Sequence, residues 1–448
     1  MEAKPNSEDT NKGDTTQCDN YRGISLLSVP SKIFTRTVIN RLYDGVNKRL
    51  RQEQAGFRKG RNTTEQIFTL RNIIEQSIEW QASLYVNFVD FEKAFDSVHQ
   101  ESLWKIMQAY GIPQKIITMI RLLYEDAECA VLDEGKESLW FKVKTGVKQG
   151  CVLSGFLFLL VIDWIMKKVT KDNKNGIRWR ITSKLEDLDF ADDIALVSTT
   201  CQQMQEKTTC LNEISQQFGL KINQKKTKVM KLYGKSSKQI EIERNPIEEV
   251  DTFTYLGATV NNSGGGEEDI KLRLNKARRT FRKMNQVWNS AKFSRTTKIR
   301  LYNTLVIPVL LYGAETWKMT KSNNTELDVF QGKCLRRILK IFWPKTISND
   351  DLLTKSNCGK LSIEVMRRRW RWPGHVLRGD KENHCNTALT WAPEGKRKRG
   401  RPKINWRRTV EKERDQMGWT SWSQARKAAG DRENWRRVCR GLMCHRAR

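Results

Sequence analysis

The sequence holds no CxxC pair among its ten cysteines and only four histidines. It also has no apolar run near the roughly 20 residues that a bilayer-spanning helix needs. Its most apolar segments, Phe156–Ile162 and Leu305–Leu311, fall well short of that length. The opening MEAKPNSEDTNKGD is polar and contains no apolar signal core. These absences argue against a disulfide scaffold, a secretory leader and a membrane anchor, and an intracellular, reduced protein is expected. Acidic residues are also scarce: 51 Asp and Glu stand against 81 Lys and Arg, a formal charge of +30. Such an excess favours polyanionic partners, with nucleic acid ahead of a membrane surface.

What is present suffices for two or three domains: 448 residues, of which 38% are apolar. Half of the basic excess lies from Ile363 to Arg448, together with nearly half of the fifteen tryptophans, so that region reads as a small module. Helical spacing of Ile67, Leu70, Ile73, Ile74 and Ile78 predicts a helix over 64–80. Leu84–Val89 reads as a buried strand ending at Asp90, and a helix is expected around Glu101–Tyr110. Phe156–Lys167 reads as a buried helix, Leu188–Phe190 with Ile194–Ser198 as a β-hairpin, and Met204–Phe218 as a further helix. Gly264–Gly266 looks like a joint before an all-helical stretch, in which Pro308 is expected to interrupt a helix.

The sharpest local signal is Phe190-Ala191-Asp192-Asp193, an adjacent acid pair between two apolar runs. Two neighbouring carboxylates repel unless solvated or compensated, and a divalent cation compensates them. Asp90 ends another apolar strand, and if the two strands pair, Asp90 and Asp192 meet at one sheet edge. Such a site could bridge two metals for phosphoryl transfer. These residues alone leave polymerase and nuclease open.

NYRGISLL, QAGFRKGRNTTEQIFTLR, VDFEKAFDSV, GVKQGCVLSG, FADD, GLKINQKKTKVM and FTYLGATV occur in this order. The series resembles the reverse transcriptase of non-LTR, LINE-like retrotransposons, and the likeness covers about Lys12 to Trp343. RRWRWPGHVLR and PEGKRKRGRPKINWRR are similar to the tail of endonuclease–reverse transcriptase polyproteins. The resemblance implies an α+β right-hand polymerase, with fingers and palm over 1–262, a helical thumb over 263–345 and a basic C-terminal module over 346–448. It implies an RNA-directed DNA polymerase (a nucleotidyltransferase) acting in retrotransposition with an RNA template, a DNA primer and dNTPs. A non-catalytic nucleic-acid-binding relic and a two-metal nuclease are the competing readings. No stretch ahead of the finger motifs is long enough for an apurinic-type endonuclease, so nicking is expected from another segment or protein. A nuclear location with a cytoplasmic phase is expected.

The resemblance also assigns roles. Asp90, Asp192 and Asp193, with the Phe91 carbonyl, would hold two Mg²⁺ ions, or Mn²⁺. Lys226 would assist the leaving pyrophosphate, although Lys225 and Lys228 are close neighbours. Lys12 and Arg22 would contact the triphosphate, and Phe95 would exclude a 2′-hydroxyl. Gln149 and Gly150 would lie beneath the templating pair. Ser154-Gly155 replaces the usual Ser-Pro, and Ser154 is expected to cap the next helix. Asp96 is expected to cap the helix after it or form a local turn. Arg58 and Arg61 would meet template, Tyr255-Leu256-Gly257 would form the primer grip, and Lys271 and Arg278 would track the duplex. In the tail, Arg399-Gly400-Arg401-Pro402 resembles an AT-hook suited to A·T-rich DNA. Cys358, His375, His384 and Cys385 are spaced poorly for zinc, and buried or incidental cysteine is the preferred reading.

Overall fold

The sequence LYVNFV carries apolar or buried side chains on both faces, the pattern of a central strand covered on each side. In the computed structural model, which describes residues 2–5, 23–125, 128–133, 136–398, 400 and 404–447, this segment is the middle of a five-stranded sheet. Lys12, Arg22, Arg399 and Arg401 lie outside the described residues. The strands are β1 (Leu84–Val89), β2 (Asp187–Phe190), β3 (Asp193–Ser198), β4 (Lys228–Leu232) and β5 (Glu248–Glu249). Their spatial order is β5-β4-β1-β3-β2. β1 runs antiparallel to both β3 and β4, with Val89 opposite Ile194 and Phe88 opposite Lys228.

By packing, the chain forms two compact units. The first, Met1–Thr63 with Leu84–Val250, contains this sheet. Its core includes the Gln100–Ala109, Val152–Val169 and Cys201–Gln217 helices. Val152–Val169 is the most apolar of these and is buried almost all round, as a helix in a core interior must be. Buried Asn87 of β1 donates through Nδ2 to Thr208 Oγ1 of the last helix at 3.0 Å, which ties the central strand to that helix.

Among the described residues, the second unit, Thr64–Ser83 with Asp251–Arg448, is helical apart from one two-stranded hairpin, Thr252–Tyr255 with Ala258–Asn261. The Thr63–Trp80 helix, read from sequence as part of the fingers, packs here. The reason is a buried ion pair. Arg71 bonds Asp269 at 2.8 Å, the Thr259 carbonyl at 2.8 Å and Thr316 Oγ1 at 2.5 Å. Asp269 also accepts from Trp317 Nε1 at 2.8 Å and the Thr259 N–H at 3.1 Å. One carboxylate thus ties hairpin and helices together. The expected thumb and tail regions share this unit. Pro308 is accommodated by a π-helical turn, Tyr302–Val306, between helices Arg295–Leu301 and Ile307–Leu310. Among the described residues no helix is long and apolar enough to cross a membrane.

Candidate active site

Strand register decides which acids meet. Asp90 directly follows Val89, and Asp193 directly precedes Ile194, the residue paired with Val89. Asp90 and the Asp192-Asp193 pair therefore lie at the same end of adjacent strands. Asp192 is half-buried and Asp193 exposed. The two-residue link Ala191-Asp192 forces Ala191 to φ +59°, a left-handed conformation that alanine adopts only under constraint.

The constraint comes from the QAGF segment. Gln54 is fully buried; its Oε1 accepts the N–H of Gly56 at 2.7 Å and of Ala191 at 3.0 Å. Its Nε2 reaches the Ala191 carbonyl at 3.4 Å. Backbone bonds from Ala55 N–H to the Asp189 carbonyl (2.9 Å) and Asp189 N–H to the Glu53 carbonyl (3.2 Å) continue the pairing. A Cβ on Gly56 would stand 2.1 Å from Ala191 N, so only glycine permits this approach.

Behind the turn lies a buried charge network. Arg51 bonds Asp187 at 2.8 Å, contacts Asp189, and reaches Asp163 at 3.5 Å. Asp163 also accepts from the Arg51 N–H at 2.9 Å and from the Tyr110 hydroxyl, and pairs with Lys167 at 3.0 Å. Burial, then the neighbouring Asp187 charge, pushes the Asp189 carboxyl well above the usual range, against the pull of Arg51. Burial works to lower the Arg51 guanidinium, but Asp187 and Asp189 raise it well above its ordinary value, so it stays charged.

Asp90 is positioned by the turn before β4. Asn223 N–H donates to the Asp90 carbonyl at 2.8 Å, and Asp90 N–H to Thr227 Oγ1 at 3.3 Å. Lys226 N–H donates to Asn223 Oδ1 at 3.2 Å, which aims Lys226 so that its Nζ lies 3.6 Å from Asp90 Oδ2. Of the three candidate lysines, this one reaches the acid; Lys228 pairs with Glu248 and Lys225 is exposed. Phe91 is bridged to Ile222 by bonds of its neighbours, Asp90 and Glu92, so its own carbonyl is not used there.

Phe95 is half-buried, stacked on Phe158 at 4.5 Å between ring centroids, with Phe57 edge-on at 6.3 Å. The Gly146–Gly150 loop is tied to it by the Val147 N–H donating to the Phe95 carbonyl at 2.7 Å. Gln149 accepts the Ser25 N–H on its carbonyl at 2.7 Å, and Gly150 takes φ +103°.

Several expectations need correction. Arg58 is buried, not presented to solvent: its guanidinium donates to Asn47 Oδ1 at 2.9 Å and to the Arg51 and Gln54 carbonyls at 2.5 and 2.9 Å. It braces the loop that carries Gln54, with four of its five N–H donors turned to Asn47, Arg51 and Gln54. Arg61 is half-buried and donates to Gln52. Ser154 does not cap its helix, whose cap position is Cys151, three residues earlier than expected; the Ser154 hydroxyl instead lies 3.3 Å from the Tyr124 hydroxyl. Asp96 does not cap the following helix, whose cap position is His99; it takes the other expected place, in a local turn, Ala94–Ser97, where its N–H donates to the Lys93 carbonyl at 2.9 Å. The Phe57 ring takes the space above Gly155, where an added Cβ would stand 2.8 Å from it.

The second unit holds the hairpin and thumb residues. Tyr255 is buried and pairs with Ala258, leaving a two-residue turn in which Leu256 (φ +49°) and Gly257 (φ +77°) are both left-handed. Arg273, which sequence reasoning did not single out, donates to the Gly257 carbonyl, and the Tyr312 hydroxyl donates to Leu256 at 2.8 Å. Lys271 and Arg278 are exposed on the Glu267–Lys283 helix. Arg278, Arg282, Lys333, Arg336 and Arg337 line a cavity of about 710 Å³ with Phe342 and Trp343, both exposed.

Among the described residues, no three His, Cys, Asp or Glu are arranged as a ready-made metal cage. The acidic cluster nonetheless fits a hard cation. Asp90 Oδ2 is a buried oxygen with no hydrogen-bond partner, beside two further carboxylates, and Mg²⁺ needs only one or two protein carboxylates.

A family profile described as "Reverse transcriptase (RNA-dependent DNA polymerase)" matches residues 6–260, and residues 280–312 match a domain of unknown function. The chain is 29% identical over 380 residues to a probable RNA-directed DNA polymerase from transposon BS of Drosophila melanogaster, covering 80% of this chain and 40% of that protein. It is 25% identical to the RNA-directed DNA polymerase from mobile element jockey of the same organism, covering 73% and 36%. The chain thus spans well under half the length of these two relatives. Among solved structures, apo telomerase from Candida tropicalis truncated from its C-terminal domain aligns with TM-score 0.36 and 18% identity, over 52% of this chain and 43% of that one. With more than half of its length under the family profile, the chain belongs to the reverse transcriptase (RNA-dependent DNA polymerase) family.

Proposed function

We propose that the chain is an RNA-directed DNA polymerase of a non-LTR retrotransposon, extending a DNA primer on an RNA template. The observation that carries this reading is the register of β1 and β3, which sets Asp90 beside Asp192-Asp193 with Lys226 3.6 Å from Asp90. Divalent cations held by Asp90, Asp192, Asp193 and the Phe91 carbonyl, two Mg²⁺ or Mn²⁺ ions, would neutralise charge on the attacking and leaving oxygens. The chain's own part is positioning. Gln54 and Gly56 fix the turn that presents Asp192 and Asp193. Lys226, aimed by Asn223, supplies positive charge and a proton to departing pyrophosphate. The Phe95 ring, backed by Phe158, excludes a 2′-hydroxyl, and Gln149-Gly150 offers backbone to the nascent pair. In the second unit, Arg273 and Tyr312 stiffen the Leu256-Gly257 turn against the primer. Lys271 and Arg278 supply phosphate contacts that depend on salt.

Lys12 and Arg22 carry the triphosphate role by sequence alone, as Arg399 and Arg401 carry nucleic-acid contact with a preference for A·T-rich DNA. A separate endonuclease and a nuclear site of action belong to the same reading. Primer extension on an RNA template tests it: wild-type chain adds dNTPs under Mg²⁺ or Mn²⁺, and Asp192→Asn or Asp90→Asn lowers the rate by at least about 10³-fold. Template binding without extension by the wild type would mark a binding relic, and cleavage of a duplex without dNTPs would mark a nuclease.

A further inference from the structure

The tail motif RRWRWPGHVLR, which the polymerase site does not absorb, forms much of the Leu361–Arg378 helix. This helix packs against the Arg432–Ala447 helix at close range. A Cβ on Gly374 would lie 2.5 Å from Trp435 Nε1, which donates to the Trp370 carbonyl at 3.1 Å. The tryptophans point inward: Trp370 and Trp435 are buried, and Trp435 stacks on Trp419 at 4.6 Å.

The arginines point the other way. Arg367 and Arg371 lie four apart on one helix, with Arg378 two turns on; Arg432, Arg436 and Arg440 lie four apart on the other. All six are exposed, and with His375 they rim a cavity of about 1010 Å³ that no acidic side chain lines. Two acids pair at its edge: Glu364 holds Arg367 at 2.5 Å and Arg368 at 3.4 Å, and Glu65 faces His375 at 3.7 Å. Burial, and then the charges of Arg432 and Arg436, lowers the Arg378 guanidinium below its ordinary value. Like charges four apart on a helix destabilise it. Arg367 has Glu364 and Arg378 donates to the Ala429 carbonyl at 3.2 Å, but the two facing rows still gather like charge that an anion would compensate.

We infer that this groove, built from residues other than those of the polymerase site and of the Arg399–Arg401 motif, is a binding site for the phosphodiester backbone of RNA or DNA. The tryptophans in its floor, Trp370 and Trp435, are buried and Trp435 is stacked on Trp419, while the exposed rim is arginine, so recognition is by phosphate and independent of sequence. The inference rests on the reading of the chain as a nucleic-acid enzyme but not on its catalysis.

The test uses the full chain without dNTPs, with fluorescence anisotropy on single-stranded RNA and DNA of the same sequence, about 20 nucleotides long, over a series of salt concentrations. Arg371→Gln/Arg436→Gln/Arg440→Gln should reduce the slope of log affinity against log salt by about 2, a loss of about 100-fold near 0.1 M salt. Arg371→Lys/Arg436→Lys/Arg440→Lys should keep the slope. Equal losses on RNA and DNA assign the contact to the shared backbone, and a larger loss on RNA adds the 2′-hydroxyl. The single variant Arg436→Gln should lower the slope by about 0.7 and guards against misfolding of the triple variant. An unchanged slope in the glutamine variants would overturn the inference. So would an equal loss in the lysine variant, or polyglutamate binding as tightly as the RNA. Because no catalysis is read, an inactive polymerase leaves the outcome interpretable.

Discussion

Replacing Gln54 with alanine should disable the acidic turn without touching a carboxylate. The substitution strips acceptors from the buried N–H groups of Gly56 and Ala191, now at 2.7 and 3.0 Å. Each stranded donor costs about 1–3 kcal/mol, and the vacated volume adds to this, for a total of roughly 3–5 kcal/mol. Ala191 then loses the contacts that hold it at φ +59°, and the turn relaxes toward ordinary backbone. A shift of about 1 Å in Asp192-Asp193 is worth about 10²-fold in rate. Gln54→Met fills the volume but offers no equivalent acceptor, so it should recover part of the melting temperature and little of the rate. Adding Ala191→Gly, which adopts the left-handed region freely, should restore some rate to Gln54→Met. Primer extension and thermal unfolding, run on the same preparations about 10 °C below each melting point, separate the two effects. Wild-type kcat in folded Gln54→Met would refute the reasoning.

Three further outcomes are expected. Phe95→Val removes the ring stacked on Phe158 and should raise the ribonucleotide-to-deoxynucleotide kcat/KM ratio by about 10–100-fold; an unchanged ratio in single-nucleotide incorporation would remove Phe95 from the sugar pocket. Gly155→Pro, which restores the residue usual in the motif, should destabilise by about 3 kcal/mol. The helix already runs from Val152 and Phe57 occupies the space, so a melting temperature at or above wild type would contradict this packing. Glu75, buried and accepting the Trp406 N–H at 2.8 Å, is raised by burial from 4.5 to about 7. A carboxyl raised in the folded state binds its proton more tightly there. Its contribution is therefore full below the unfolded value near 4.5 and is lost as pH rises through about 7, by roughly 3 kcal/mol. Chemical unfolding at about pH 5 and about pH 8 should show this loss in wild type and a flatter profile in Glu75→Gln, with equal slopes counting against it.

The elements were legible wherever an apolar pattern stood alone. Leu84–Val89 is the strand its composition suggests, and Thr63–Trp80 the helix its spacing suggests. The pairing of Asp90 with the Asp192 turn was legible because each acid ends a run that must be buried. Gln54 and Arg51 were not, since their partners lie over a hundred residues away and nothing local marks a glutamine as buried. Arg58 misled for the converse reason: a basic cluster reads as solvated, yet Asn47 and two carbonyls draw this guanidinium inward. The Thr63–Trp80 helix was placed with the fingers by the motif it belongs to, and nothing local marks Arg71, Glu75 and Gln76 as buried. All three are buried against the second unit's own groups.

That helix has a consequence for synthesis. It leaves the ribosome early, yet the carboxylate that neutralises Arg71 is encoded 198 positions later. Chains emerge N-terminal end first, so for that interval an amphipathic segment with a burial-ready cation has no home. A fragment cut after Val250 would carry this orphan permanently, with its apolar stripe open to other chains. Such a fragment should aggregate unless residues 64–83 are removed or the later half is supplied in trans.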